Sequence, residues 1–322
     1  MKLLNLSIFS SKTSLIRPFV IYLIIFFALI MAVDYLFTSL VIDSNVTTNY
    51  YKLKRLAEEN HTEEIPLFGS STVLRGLLPN ELGTDFYNYG ITATNYQKME
   101  PLLLTELDKD KKTPIIIEMP PPFFYDREQP NIRMEDILPL SNQKHFHDFM
   151  VTYQLWEPWY KIKGLRYYGS FTIYLSAYID QSLPPGMYFS KGSKSVKKRI
   201  TSEQLEQFIE SREENPVGFS ASQNLISRFE KIVSSTDREI VMVVSPFHRI
   251  VYESGFDLEE YKSLFKQLEA NHSNLKGFIF DGKEYPDELF LDTSHLNYWG
   301  AMRFTSELKH KLIKSGVIES TN

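Results

Sequence analysis

The sequence predicts an α/β protein in which a parallel sheet carries helices on both faces and follows one membrane-spanning helix. Three observations lead there. An apolar and aromatic run fills residues 19–42. Beyond Ile65, short apolar segments that end in glycine or proline alternate with stretches of helical periodicity, the pattern of βαβ units. Residues 121–219 break that alternation and stand as a large insertion over the strand ends or as a small helical subdomain, the place for a lid. The expected fold class is a flavodoxin-like three-layer α/β/α sandwich, preceded by one transmembrane helix and carrying this insertion.

The amino-terminal run is expected to be a helix. Its 24 residues from Phe19 to Ile42 extend about 36 Å at roughly 1.5 Å per residue, enough to cross a hydrocarbon core of about 30 Å with some tilt. Asp34 interrupts it at a cost on the order of 3 kcal/mol, which the surrounding Ile, Leu and Phe residues outweigh. It is expected near the outer interface or against a membrane partner. Lys2, Lys12 and Arg17 precede the run without an acidic residue among them, and the first Lys after it is Lys52. That asymmetry favours a cytoplasmic amino terminus with the remainder outside. A cleaved signal peptide is the alternative, but no clear small-x-small site follows the run. The expected organisation is a cytoplasmic tail over 1–18, an anchor over 19–42, a polar stalk over 43–64 and a folded domain over 65–315.

Composition narrows the chemistry. The 322 residues have a formal net charge of -5, an isoelectric point near 5.9 and a mean hydropathy of -0.24. A general nucleic-acid binder needs a basic face to displace counterions, so that class is disfavoured. The absence of cysteine excludes thiol catalysis, Cys-ligated zinc and disulfide stapling.

Within the domain, Leu67-Phe68 ends a first apolar strand and runs into Gly69-Ser70-Ser71-Thr72. Residues 85–90 read as a second strand, 96–107 as a helix, 114–119 as a central strand stopped by three prolines, 239–246 as a fourth strand and 276–281 as a fifth. Further helices are expected over 223–234, 258–270 and 298–313.

A serine at the carboxyl end of a parallel strand projects into the crevice where open α/β sheets bind ligands. A serine hydroxyl is a weak nucleophile until a base removes its proton. Asp292-Thr-Ser-His295 supplies that base: in a turn, the Asp292 carboxylate reaches one imidazole nitrogen of His295, fixes its tautomer and leaves the other free. Taken alone, Asp292 and His295 are more simply explained as groups bonding the start of the helix after Asn297, itself a suitable cap.

Together these blocks resemble the SGNH hydrolase superfamily, over residues from about Ile65 to Leu312. Gly69-Ser70-Ser71 matches its Gly-Asp-Ser block, Asn88-Tyr-Gly90 its glycine block and Asp292 to His295 its last block. The resemblance implies Ser71, Asp292 and His295 as catalytic residues, with Ser70 the other candidate nucleophile. It also implies backbone N–H groups of Ser71 and Gly90 as oxyanion donors. The usual Gly-x-Asn-Asp block is replaced by Glu118-Met-Pro120, and Asn95 is a substitute third donor. Within the superfamily the chain is similar to the membrane-anchored, extracytoplasmic branch that includes the D-alanyl transfer protein of teichoic acid synthesis and alginate O-acetylation proteins. That similarity implies an esterase or O-acyltransferase acting on acyl esters of envelope glycans, without a cofactor, beside a membrane-bound O-acyltransferase. The rival expectation is a non-catalytic relative that binds glycan or positions such a partner.

Other residues suggest smaller roles. Ser70, Arg75, Glu118 and His248 are candidate substrate contacts, with a salt bridge for Arg75 and ordinary strand-end structure for Glu118 as alternatives. His145-Phe-His147-Asp148 lacks a third ligand at a telling distance, so no metal is expected. Lys191, Lys194, Lys197, Lys198 and Arg199 read as a solvated face or a contact for anionic glycan or lipid head groups.

Overall fold

The computed structural model describes residues 10–124, 133–162, 164–180, 186–214, 221–254 and 258–319. Half of the expected tail, with Lys2, and the end of the expected insertion lie outside the described residues.

The amino-terminal helix runs over Ser10–Phe37 and continues as a π-helical turn over Thr38–Ile42. Its apolar part, Ile16–Ile42, is long and apolar enough to span a membrane, and an amino-terminal signal sequence passes the same test. Asp34 is buried against the insertion. Its carboxylate takes a two-pronged contact from Arg166, with Nε at 3.0 Å and Nη2 at 2.9 Å, and a third bond from the Gly164 N–H at 2.8 Å. Such a fork is the strong form of an ion pair. Beside it Phe37, Ile42, Tyr50, Tyr167 and Tyr174 form a separate aromatic cluster.

Residues 43–64, expected to be a stalk, belong to the domain. Helix Asn49–Glu58 buries Tyr50, Lys52, Leu53 and Leu56, and the two leucines join the largest core cluster. Their four-residue framework gives the helix an inward face, which the neighbouring charges conceal in a reading by composition.

Among the described residues seven strands follow in chain order: β1 (Ile65–Phe68), β2 (Phe86–Asn88), β3 (Ile115–Glu118), β4 (Met187–Ser190), β5 (Ser193–Val196), β6 (Ile240–Val244) and β7 (Leu275–Ile279). Five of them form one sheet in the order β2-β1-β3-β6-β7, every pair parallel. Both faces are apolar, as parallel strands require. Phe68, Ile115, Ile117, Met242 and Val244 face a core shared with helices Tyr96–Leu107, Gln223–Ser234 and Leu258–Asn271. Leu67, Ile116, Val241 and Val243 face the opposite core, built with Val73, Phe304, Leu308 and Leu312. The protein is therefore a mixed α/β structure around a five-stranded parallel sheet. The five sheet strands and helices Tyr96–Leu107, Gln223–Ser234, Leu258–Asn271 and Tyr298–Lys314 fall within a residue or two of the expected bounds.

The insertion contributes the antiparallel hairpin β4-β5. Its turn docks on edge strand β2, where the Asn88 N–H donates to the Lys191 carbonyl at 2.9 Å. Gly192 takes φ 85° there, and a side chain would collide with the Asn88 carbonyl. The basic run is thus not a simple solvated face: Lys197 lies over the rings of Tyr188 and Tyr298, and Arg199 over Trp299.

Because Leu53 sits in the core, Leu53→Ala is expected to destabilise the domain by about 2–5 kcal/mol, the range for a buried leucine. Denaturant unfolding of the detergent-solubilised chain measures this. A change below about 0.5 kcal/mol, the surface value, would restore the stalk.

Candidate active site

The loop after β1 is held by a buried carboxylate. Glu118, at the end of the neighbouring strand β3, has no exposed surface. It accepts from the Ser70 N–H at 3.3 Å, the Ser70 hydroxyl at 3.1 Å and the Thr72 hydroxyl. Burial pushes the Glu118 carboxyl upward, opposed by the bonds from Thr72 and Ser70. Gly69 is confined between Val73 and Glu118, and a Cβ would lie 2.8 Å from that of Glu118. Ser70 then caps the short helix Ser71–Gly76, its hydroxyl accepting from the Thr72 N–H at 3.3 Å. Both hydroxyl functions of Ser70 are engaged, and Glu118 has no accessible face. These two expected substrate contacts instead position the loop.

Ser71 is the serine left to act. At the first position of the helix its N–H has no intrahelical partner, and its hydroxyl lies 2.7 Å from His295 Nε2. The other imidazole nitrogen, Nδ1, is 2.9 Å from both carboxylate oxygens of Asp292. Asp292 Oδ1 also accepts from the Ser294 and His295 N–H groups, each at 2.9 Å. Burial would raise the Asp292 carboxyl, but the bond and charge of His295 and the two backbone donors outweigh it and hold it below the usual carboxylate range. The structure therefore joins Ser71, His295 and Asp292 in one hydrogen-bonded line.

The loop bearing His295 is fixed from below. Asn297 is fully buried, caps helix Tyr298–Lys314 through the Trp299 and Gly300 N–H groups, and donates to the carbonyls of Glu288 and Phe290. His248 does not line a pocket, contrary to expectation. Only 1% exposed, it caps its own short helix through Nδ1, and Nε2 sits 3.1 Å from Asp287. Its N–H donates to the Thr293 carbonyl at 3.0 Å, bracing the loop that carries Asp292 and His295. Burial lowers its proton affinity, opposed by Asp287.

Two expected oxyanion donors are engaged elsewhere. The Gly90 N–H donates to Asn88 Oδ1 at 2.9 Å, because the Asn88 side chain bridges this turn to the Val73 and Leu77 carbonyls. Gly90 is required by close approach: a Cβ would stand 2.7 Å from the Leu74 nitrogen of the serine helix. Asn95 caps helix Tyr96–Leu107 through Oδ1 and donates its amide to Gln97 at 2.8 Å. Of the expected donors, the Ser71 N–H keeps its bonding capacity.

Positive charge gathers around this end of the sheet. Arg75 follows Ser71 by one helical turn, which places it on the same face. Its Nε is buried without a hydrogen-bond partner, and among the described residues it forms no ion pair. Lys194 on β5 is pushed down by burial and by the charge of Arg75. Lys52, fully buried, donates to the Gly90 carbonyl at 2.8 Å. Burial pushes its amine well down, and Lys194 adds to the effect. Lys52 and Lys194 were not separable from solvated charges by sequence pattern; the helical spacing of Lys52 with Leu53 and Leu56 was the available signal. Elsewhere, His145 pairs with Asp108 at 2.7 Å, and among the described residues no three His, Asp or Glu side chains converge as metal ligands.

No protein-family model matches this chain, and no curated protein matches it. Among solved structures it is similar to a Streptococcus pneumonia protein provisionally described as a platelet activating factor, at 13% identity and a TM-score of 0.39. The match covers 89% of this chain and 99% of that one.

The buried amine of Lys52 carries a pH signature. Its proton affinity in the folded state lies below the ordinary lysine value of 10.5, so between those values the unfolded chain binds more protons and stability rises with pH. Lys52→Met removes that dependence. Stability of the wild type relative to Lys52→Met is expected to increase from neutral to alkaline pH in paired denaturant titrations. Parallel curves would mean that Lys52 titrates normally.

Proposed function

We propose that this chain is a membrane-anchored serine esterase or O-acyltransferase of SGNH type, acting on acyl esters of cell-envelope glycans. In this reading the domain is a three-layer α/β/α sandwich outside the membrane, the amino terminus is cytoplasmic, and a membrane-bound O-acyltransferase is the natural neighbour. The observation that carries the proposal is the contact of His295 Nε2 with the Ser71 hydroxyl at 2.7 Å, continued on the other side of the ring to Asp292. The strand order β2-β1-β3-β6-β7 supports the sandwich, because it is the doubly wound order whose crevice lies at the carboxyl ends of the strands.

The geometry supports the following reaction. Ser71 Oγ bonds to the acyl carbon while His295 Nε2 takes its proton. Asp292 holds the imidazole and balances the imidazolium. The carbonyl oxygen gathers negative charge facing the Ser71 N–H, aided by the positive end of the helix. His295 then returns the proton to the departing alcohol oxygen as its bond to the acyl carbon breaks, leaving an acyl-serine. A water or sugar hydroxyl, deprotonated by His295, then bonds to the acyl carbon, and His295 returns that proton to Ser71 Oγ as the acyl-serine bond breaks, which completes hydrolysis or transfer. Arg75 and Lys194 suit an anionic group on the substrate, since among the described residues neither is paired with a carboxylate.

A second reading rests on Gly90 and Asn95. Loss of one oxyanion donor lowers rates by about 10² to 10³, and two expected donors are engaged, so a glycan-binding or assembly role without turnover is the rival. A fluorophosphonate probe separates the two. The full-length chain in detergent is expected to label, Ser70→Ala to keep its label and Ser71→Ala to lose it; absence of labelling in the wild type, or equal labelling of Ser71→Ala, removes the enzyme reading. His295→Ala should lower turnover of a model acyl ester by about 10⁴-fold or more, judged by triads of this kind. Arg75→Gln should cut kcat/KM by about 10- to 100-fold for anionic esters, the value of one charge-assisted bond, while neutral esters are unaffected.

A further inference from the structure

Among the described residues outside the amino-terminal helix, exposed large apolar side chains are concentrated between Trp159 and Ile179, with Val46, Val151, Tyr188, Ile209 and Trp299 lying elsewhere. Within the stretch, Ile162, Leu165 and Phe171 are between 40% and 49% exposed and Tyr168 and Ile179 are each 75% exposed. Helix Phe171–Ile179 contains no charged residue. Its Tyr174 turns inward and donates to the Glu135 carbonyl, and Phe171 stacks on Phe37 of the amino-terminal helix, while Ile173, Leu175, Tyr178 and Ile179 stay exposed among the described residues. A patch of this extent on a folded domain marks a surface for binding.

The position of the patch identifies what covers it. Gly164 packs against Ile30 of the amino-terminal helix so closely that a side chain there would collide with it. Ile30 lies four residues, about 6 Å, closer to the amino terminus than Asp34. Ile162 and Leu165 flank that contact and therefore stand beside the apolar part of the helix. Asp34, one turn from Ile30 on the amino-terminal helix, is neutralised by Arg166, and the Lys161 amine lies over the ring of Trp156. Aromatic rings with polar edges, such as Trp159 and Tyr168, are the residues that favour the headgroup level of a bilayer.

We infer that the stretch between Trp159 and Ile179 is a second membrane element, an interfacial surface lying in the leaflet beside the spanning helix and laying the domain on the lipid. This rests on the reading of the amino-terminal helix as a membrane span. The ion pair at Asp34 and the aromatic cluster around Phe37 lock the two elements together, so the domain is held at a set height and tilt, not hung on a flexible tether.

The chain has no cysteine, so single nitroxide labels can be placed directly. Full-length variants Tyr168→Cys, Leu175→Cys and Ile179→Cys would be spin-labelled and reconstituted in phosphatidylcholine–phosphatidylglycerol vesicles. Phe26→Cys serves as the spanning reference and Ile209→Cys as the aqueous one. Power saturation is expected to show the first three, like Phe26→Cys, several-fold more accessible to oxygen than to a nickel chelate relative to Ile209→Cys. Nickel accessibility equal to that of Ile209→Cys, with Phe26→Cys still embedded, would overturn the inference. Exclusion of both reagents would also overturn it, in favour of a protein covering the patch. If Phe26→Cys itself is open to nickel, the span fails and this inference with it.

Discussion

A carboxylate with no exposed surface joins β1 to β3 at the end of the sheet where the candidate site lies. Glu118 receives the Ser70 N–H and the hydroxyls of Ser70 and Thr72, so the turn after β1 cannot relax without leaving a buried charge unpartnered. Such a loss is costly, because the desolvation of the carboxylate is no longer offset. The serine helix starts where this clamp ends. Its first residue, Ser71, therefore faces outward by construction, while Ser70 faces the core. The same clamp explains why a glycine precedes the serines: the space beside Glu118 and Val73 admits no Cβ.

The histidine reaches Ser71 from 224 residues further along the chain, and the path is set by two buried polar groups. Asn297 ties the start of the last long helix to the Glu288 and Phe290 carbonyls, and the His248 N–H takes the Thr293 carbonyl. Helix Tyr298–Lys314 in turn packs Phe304 and Leu308 on the same face of the sheet as Val73 of the serine helix. Ser71 and His295 thus share one hydrophobic layer, which keeps their separation short without a direct covalent constraint.

The polar surroundings extend this arrangement. Lys52 enters from helix Asn49–Glu58 to the Gly90 carbonyl, and β5 brings Lys194 towards Arg75. Both come from segments outside the repeating strand and helix pattern: one directly follows the membrane-length helix, the other lies in the insertion. The amino-terminal region and the insertion are therefore parts of the site's electrostatics, and they meet each other again at Asp34 and Arg166.

The local pattern determined much of this protein before any coordinates. Helix Gln223–Ser234 was readable to the residue, because an amphipathic 3.6-residue repeat and its serine cap are properties of consecutive side chains. Strands β3 and β6 were readable because parallel strands buried on both faces are uninterrupted apolar runs. Asp292 and His295 were readable as a pair because three residues separate them in a turn. What sequence left open was every assignment that depends on who lies opposite. Ser70 and Ser71 are chemically alike, and the position of Glu118 on the adjacent strand separates them. Asn95 and Gly90 carry donors in any conformation, and the helix cap and the Asn88 bridge decide where those donors go. Lys52 reads as one more solvated charge until the packing of Leu53 and Leu56 turns its helix inward. Periodicity is written in neighbours along the chain; the engagement of a hydroxyl, an amide or an amine is decided by groups that only tertiary folding brings within 3 Å or so, the reach of a hydrogen bond.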